Sequence, residues 1–361
     1  MAGDFPAKWA ILFGVHDYNN VKKLKYCTRD IVEIGKAFRK FLEFEDDHFL
    51  VFAGNSEAIS EEDKVWKLRH APEYAAFWTQ LASFLNKQEI GENDLLFFYF
   101  SGHGFRDKKE YLLPRDASLV DLQHTGIEVE GIIDRLSKTK CRNIVLFLDA
   151  CREEPPAEPK GGLIGIGAET ETLIRARPGT VCFFSCDPQE QSWEIDDLKH
   201  GSFTRCVLDA VENGDCVTAE DVSKYLKKEV QQTNKKYGMK IQIPYVVPSH
   251  DDKMKLPIFA SSAKREKTTK QYNDMIDVLY ELYQVHKFKA EYYSAAVELL
   301  ELAKNLATGR VPSETEAEKL HCIKMLCSKK FSITVFIATW DAIERRPPGE
   351  AVTKPPERKI Q

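Results

Sequence analysis

The run Leu95-Leu96-Phe97-Phe98-Tyr99-Phe100 is unbroken apolar sequence, and it stops at Ser101-Gly102-His103-Gly104. A run this short and this continuous reads as a strand buried on both faces. The histidine then sits just past the carboxyl end of that strand, between two glycines. A second run has the same form. Ile144-Val145-Leu146-Phe147-Leu148 ends in Asp149-Ala150-Cys151-Arg152. Each run delivers a reactive side chain to a strand end. In a parallel sheet those ends share one edge, and ligands bind there.

Other short apolar runs repeat the pattern: Ala10–Phe13, Phe49–Phe52, Val181–Phe184 and Ile243–Val247. Between them lie helical periodicities at Ile31, Ile34, Phe38 and Leu42, at Phe77, Leu81 and Phe84, and at Val207, Leu208 and Val211. Alternating strand and helix predicts an α/β fold, a mostly parallel sheet sandwiched by helices. This domain is expected over residues 1–260. The stretch 153–177 is rich in proline and glycine and is expected to be a long mobile loop. A polar linker is expected at 261–270, and a small C-terminal all-helical domain at 271–345. Its stripes are Tyr272, Met275, Leu279 and Leu282, then Ala296, Leu300 and Ala303, then Ile333, Phe336 and Trp340. The tail, 346–361, is proline-rich and charged, and is expected to be disordered.

The 361 residues carry a formal net charge of −5 and ordinary globular composition. That balance gives no reason to expect nucleic acid as a partner. No segment approaches the 18 or so apolar residues of a membrane span, and no signal pattern opens the chain, so the expected location is cytoplasmic. Nine scattered cysteines without C-x-x-C spacing fit a reducing compartment and give no zinc signature. Most read as small buried apolar groups.

Cys151 stands apart because a histidine is expected beside it. The thiolate is the nucleophile, and the free thiol is mostly protonated at neutral pH. His103 within reach would take that proton and later give it to the leaving amine. The N–H groups of Gly104 and Cys151 are the candidate oxyanion donors.

These motifs resemble those of the caspase and metacaspase superfamily. Ser101-Gly102-His103-Gly104 is similar to its histidine motif and Asp149-Ala150-Cys151 to its cysteine motif. The histidine falls roughly 50 residues upstream of the cysteine, as in caspases. The resemblance covers roughly Trp9 to Val247. It departs from animal caspases, which carry Gln-Ala-Cys-X-Gly. Asp149 is similar instead to metacaspases and their bacterial relatives. Leu24-Lys25-Tyr26-Cys27-Thr28-Arg29-Asp30 is similar to a metacaspase segment, with Tyr26 in place of its glycine. The resemblance implies that Asp30 and Asp149 line the primary specificity pocket, with Ser101 beside them. Two carboxylates there would bind a guanidinium or ammonium, so cleavage after Arg or Lys is expected. The competing reading of Asp30 is a solvated helix N-cap.

Further along, Cys186 to Glu194 and His200 to Thr204 resemble the family's small-subunit region. Ser192 and Trp193 are candidate partners for a substrate backbone, and packing is the other reading of Trp193. His200 reads as structural. Lys160, Arg175 and Arg177 mark the 153–177 stretch as a possible self-cleavage loop. Many metacaspases need calcium. Asp116, Asp121 and Asp134 are too scattered to form a cage, so no metal or other cofactor is expected. The expected partners are peptide or protein substrates with a basic residue at the cut, plus a possible regulatory protein at the C-terminal helices. Two other readings remain: a catalytically silent scaffold of the same fold, and a legumain-like or separase-like peptidase.

Overall fold

The computed structural model describes residues 7–54, 69–152, 167–187, 190–212, 216–259, 262–285, 288–305 and 314–345. It divides into two compact units, Met1–Lys264 and Arg265–Gln361.

The first unit is built on a nine-stranded sheet. Its strands are β1 (Lys8–Gly14), β2 (Phe49–Ala53), β3 (Arg69–His70), β4 (Leu95–Arg106), β5 (Glu110–Leu112), β6 (Ile127–Glu128), β7 (Ile144–Arg152) and β8 (Thr180–Phe184). Two short strands, β9 (Glu194–Ile195) and β10 (His200–Gly201), pair separately, and β11 (Tyr245–Pro248) returns to the main sheet. The spatial order is β11-β8-β7-β4-β1-β2-β3, with β5 and β6 extending from the far end of β4. Neighbours from β8 to β3 are parallel, and β11 runs antiparallel to β8. The helices are α1 (Cys27–Leu42), α2 (Tyr74–Lys87), α3 (Leu122–Thr125), α4 (Val129–Ser137), α5 (Ala168–Ala176), α6 (Ser202–Glu212) and α7 (Ala219–Lys236).

Strand periodicity separates two cores. Side chains alternate between sheet faces. Phe97 and Tyr99 of β4 with Val145 and Phe147 of β7 pack against residues of α1, α6 and α7. Leu96, Phe98 and Phe100 with Leu146 and Leu148 pack against α2 and α4. On the first face, Tyr99, Phe147 and Phe183 stack in series, with ring centroids 5.4 and 4.6 Å apart. Each such side chain contributes roughly 2 kcal/mol through burial. Covering both faces explains why the strands read as continuous apolar runs rather than alternating ones.

Two expectations are corrected here. The predicted loop 153–177 is not a loop throughout, because Ala168–Ala176 is helical. The helix starts on a buried acceptor. Glu110 takes the N–H groups of Gly167, Glu169 and Thr170, which supplies otherwise orphaned first-turn donors. Residues 153–166, Lys160 among them, lie outside the described residues. The predicted linker 261–270 is also helical, because α8 (Ser262–Gln284) begins inside it. A polar sequence did not prevent that: Lys, Arg, Glu and Gln are good helix formers.

In the second unit α8 is followed by α9 (Ala290–Asn305), α10 (Glu314–Cys327) and α11 (Ile333–Arg345). Leu279, Ala296, Leu300, Ile323, Phe336 and Trp340 form its core. The tail beyond 345 is outside the described residues. No described helix is long and apolar enough to cross a membrane.

Candidate active site

The rows of side chains that make the first core continue within β4 and β7 toward their carboxyl ends. Residues 97, 99, 101 and 103 share one face of β4, and 145, 147, 149 and 151 share one face of β7. The register aligns Ser101 with Asp149 and His103 with Cys151 as direct cross-strand partners. Two residues far apart in sequence are therefore neighbours at the carboxyl rim, because two apolar strands pair beneath them.

His103 is buried and held on two sides. Its backbone N–H donates to the Tyr18 hydroxyl at 2.7 Å, and the Tyr18 ring lies 4.8 Å from the imidazole. Its Nε2 lies 2.8 Å from the Lys22 carbonyl oxygen. A carbonyl only accepts, so Nε2 carries the hydrogen. Nδ1 is then the basic nitrogen of the neutral ring.

Asp30 is 1% exposed and Asp149 2%. Asp30 sits in the first turn of α1 but does not cap it. Tyr26 is the N-cap residue, and Asp30 faces inward. The solvated N-cap reading is thus overturned by burial. Asp30 Oδ1 accepts from His200 Nδ1 at 2.7 Å, and Oδ2 accepts from Ser101 Oγ at 3.1 Å. The Gly201 N–H adds a longer bond of 3.3 Å. Asp149 accepts from Ser192 Oγ at 2.7 Å on one oxygen and from Thr204 Oγ1 at 2.8 Å on the other.

Gly201 brings the two carboxylates to a common space. A Cβ on this residue would lie 2.9 Å from Asp149 Oδ2 and 3.2 Å from Asp30 Oδ2. Both distances are too short for a side chain, so only glycine lets the two acids close in on this backbone position. Burial pushes the Asp30 carboxyl up to about 6, against the lowering effect of His200. Burial also raises Asp149, against its hydroxyl donors. Two carboxylates taken out of water are each shifted toward the protonated form, a shift that a positive group beside them would oppose.

A cleft of about 790 Å³ opens beside them, lined by His103, Lys22, Ser192, Trp193, Glu194 and Asp196 among others. Asp30 and Asp149 are not part of its lining; Ser192, Trp193 and Glu194 stand on the cleft wall. Glu194, at the end of the segment that resembles the small-subunit region, also lines the cleft. Its carboxylate receives the N–H groups of Lys25 and Tyr26, and burial raises it. The available signal was its place two residues after Ser192, which puts both on one side of an extended segment. Trp193 corrects part of another expectation. Its N–H donates to Gln242 and its carbonyl accepts from Ser202 N–H, so its own backbone is committed inside the protein. Its side chain lines the cleft. His200 supports the site by its bond to Asp30.

The residues considered for a cation cage are separately engaged. Asp116 accepts from Tyr74 N–H, Asp121 from His124, and Asp134 pairs with Arg177. Among the described residues, one group is compact enough for a metal, Glu45 with Asp47 and His48, and it lies away from this cleft. Arg175 is in the last turn of α5, and Arg177 follows that helix.

The sequence matches the family model described as the caspase domain over residues 7–255. No curated protein matches it. Among solved structures, a protein from Geobacter sulfurreducens aligns with a TM-score of 0.45 at 15% identity, over 71% of this chain and 99% of that one. Caspase-1 from Spodoptera frugiperda aligns with a TM-score of 0.46 at 14% identity, over 68% of this chain and 89% of that one. The domain match spans well over half of the sequence: this chain belongs to the caspase-domain family of cysteine peptidases.

Proposed function

We propose that the protein is a cysteine endopeptidase that cuts after Arg or Lys, with Cys151 as nucleophile and His103 as base. The observation that carries this reading is the pair of carboxylates around Gly201, with Asp149 two residues before Cys151 on β7, where Cys151 is the register partner of His103.

His103 Nδ1 takes the thiol proton of Cys151. The thiolate adds to the substrate carbonyl, and the N–H groups of Gly104 and residue 151 receive the oxyanion. Collapse breaks the C–N bond as the imidazolium protonates the leaving amine. A thioester remains, and water activated by the same nitrogen hydrolyses it. The Lys22 carbonyl holds the ring in the tautomer this sequence needs. The basic side chain seats between Asp30 and Asp149. It enters past the outer part of the cleft wall, beyond Glu194, so that part of the wall shifts on binding. Self-cleavage near Lys160 and a regulatory protein at the C-terminal helices complete the proposal, whose substrates are peptides and proteins.

The test is turnover of Arg-ended fluorogenic peptides by the full chain and by Cys151→Ala. Cleavage by the first and none by the second is expected. Equal turnover by both would end the assignment. A folded wild-type protein that neither turns over nor takes an arginyl chloromethylketone label at Cys151 would support the silent-scaffold reading.

A further inference from the structure

Gln242 lies in the coil between α7 and β11, and it is fully buried. Every atom of its amide is engaged. Nε2 donates to the Ser185 carbonyl at 2.8 Å and to Ser192 Oγ at 3.1 Å. Oε1 accepts from Ser202 Oγ at 2.8 Å, Asn234 Nδ2 at 3.1 Å and Trp193 N–H at 3.3 Å. One side chain thus joins the end of β8, the cleft wall, the start of α6 and the end of α7. The next residue strengthens the clasp, because Ile243 N–H donates to Glu190 at 2.6 Å.

The direction of these bonds is fixed by chemistry. Asp149 lacks a proton when it serves a cation, so Ser192 must donate to it. A hydroxyl has one proton, so Ser192 can only accept from Gln242. The result is a one-way relay from amide to hydroxyl to carboxylate. It aims the Ser192 proton at Asp149 and away from the cleft.

The cleft wall is therefore held unequally. Its Ser192–Trp193 half is clasped by buried bonds. Beyond Glu194, Asp196 is held by Lys25 and by the Tyr26 hydroxyl, and the Lys25 and Asp196 side chains are 61% and 64% exposed. Exposed ion pairs contribute little. The outer half can shift to admit a side chain while the inner half keeps its place.

We propose that Gln242 is a positioning residue for basic-residue selectivity: it holds Ser192 and Trp193 as the fixed wall of the seat and orients the Ser192 hydroxyl onto Asp149. The inference rests on the Arg/Lys reading above and names a residue that reading does not use. Gln242 touches neither substrate nor the reacting atoms.

The experiment compares wild type, Gln242→Met and Gln242→Glu, with one Arg-ended and one matched uncharged peptide. Gln242→Met keeps the length and removes every polar atom. Gln242→Glu keeps the acceptor side and turns the donor facing Ser192 into a second acceptor, which competes with Asp149 for the one proton. In each folded variant KM for the Arg-ended peptide is expected to rise roughly tenfold, the effect of one hydrogen bond to a buried charge, while kcat stays within about threefold. Preference for Arg over the uncharged peptide falls in step. Wild-type KM and preference in either folded variant would overturn the proposal. So would an equal loss of kcat on both peptides, the mark of a general structural role. Wild-type protein with no Arg preference would instead count against the parent reading, before any variant is made.

Discussion

Asp30 and Asp149 flank the same glycine and are equally hidden, but different chemistry holds each of them. Asp149 is served by neutral groups only. Ser192 and Thr204 each spend their one hydroxyl proton on it, and each is backed by a further donor: the Gln242 amide behind Ser192 and the Tyr99 hydroxyl behind Thr204, 2.9 Å away. Asp30 is served by an ionisable partner, His200, together with Ser101 and the Gly201 N–H. Neutral relays stabilise a negative charge without cancelling it. A histidine acts differently: beside Asp30 it lowers the carboxyl's pKa by both a hydrogen bond and its charge, against the effect of burial. Asp149 therefore depends on neutral donors for its charge, and Asp30 depends on a histidine as well.

That difference ranks the consequences of removing each charge. Asp149→Asn should lower kcat/KM for an Arg-ended peptide by about 10²-fold or more, since a buried cation loses its uncompensated partner. The amide also brings an N–H group against hydroxyls oriented to donate. Steady-state kinetics with matched Arg-ended and uncharged peptides measures this, and the uncharged peptide should lose far less. Asp30→Asn should cost about tenfold on the same measure, because His200 already offsets part of that charge. If Asp30→Asn proved the more damaging change, the contrast drawn between neutral and histidine support would be reversed.

A titration sharpens the comparison. Burial raises Asp30 to about 6, so it takes up a proton as pH falls through that value. The ratio of kcat/KM for Arg-ended over uncharged peptides should fall along the same limb. His103 and Cys151 act on both peptides and cancel in the ratio. In Asp30→Asn that limb should disappear. The sign for folding is opposite. A raised folded-state value means the native protein favours the protonated acid. This group's contribution to stability is fully present below its ordinary value of 3.8 and is lost as pH rises through about 6. Urea midpoints measured across that range test the stability arm.

The sequence reading reached the fold because a covered parallel sheet writes itself plainly: short, unbroken apolar strands with helical periods between them. It singled out Asp30, Ser101, His103, Asp149 and Cys151 because strand ends and a family resemblance point to the same few positions, and the register does pair Ser101 with Asp149 and His103 with Cys151. It did not reach Gln242. A polar residue in a coil between α7 and β11 has no periodicity, and its importance comes from five partners spread over four segments. Glu194 was passed over for a related reason: its partners, Lys25 and Tyr26, are some 170 residues away and are backbone groups, which leave no trace in side-chain pattern. The helix Ala168–Ala176 was hidden because its start depends on Glu110, a tertiary cap that proline and glycine counts cannot reveal.

His200 offers the smallest and most specific test of the comparison. The groups around Asp30 are of both kinds: Asp149 opposes its ionisation, while His200 and the Gly201 N–H favour it, and burial outweighs them. Replacing His200→Leu removes the favourable partner but leaves Ser101 and Gly201 in place. Ionised Asp30 becomes harder to maintain, so the acid limb of the selectivity ratio should move to higher pH. Well above that limb Asp30 is ionised in both proteins, and kcat/KM should differ by no more than about threefold, the scale of one modest hydrogen bond. A histidine that merely filled space would lower stability without moving the limb. An unmoved limb in a folded His200→Leu protein would show that Asp30, like Asp149, holds its charge through neutral donors, and the two acids would then be equivalent.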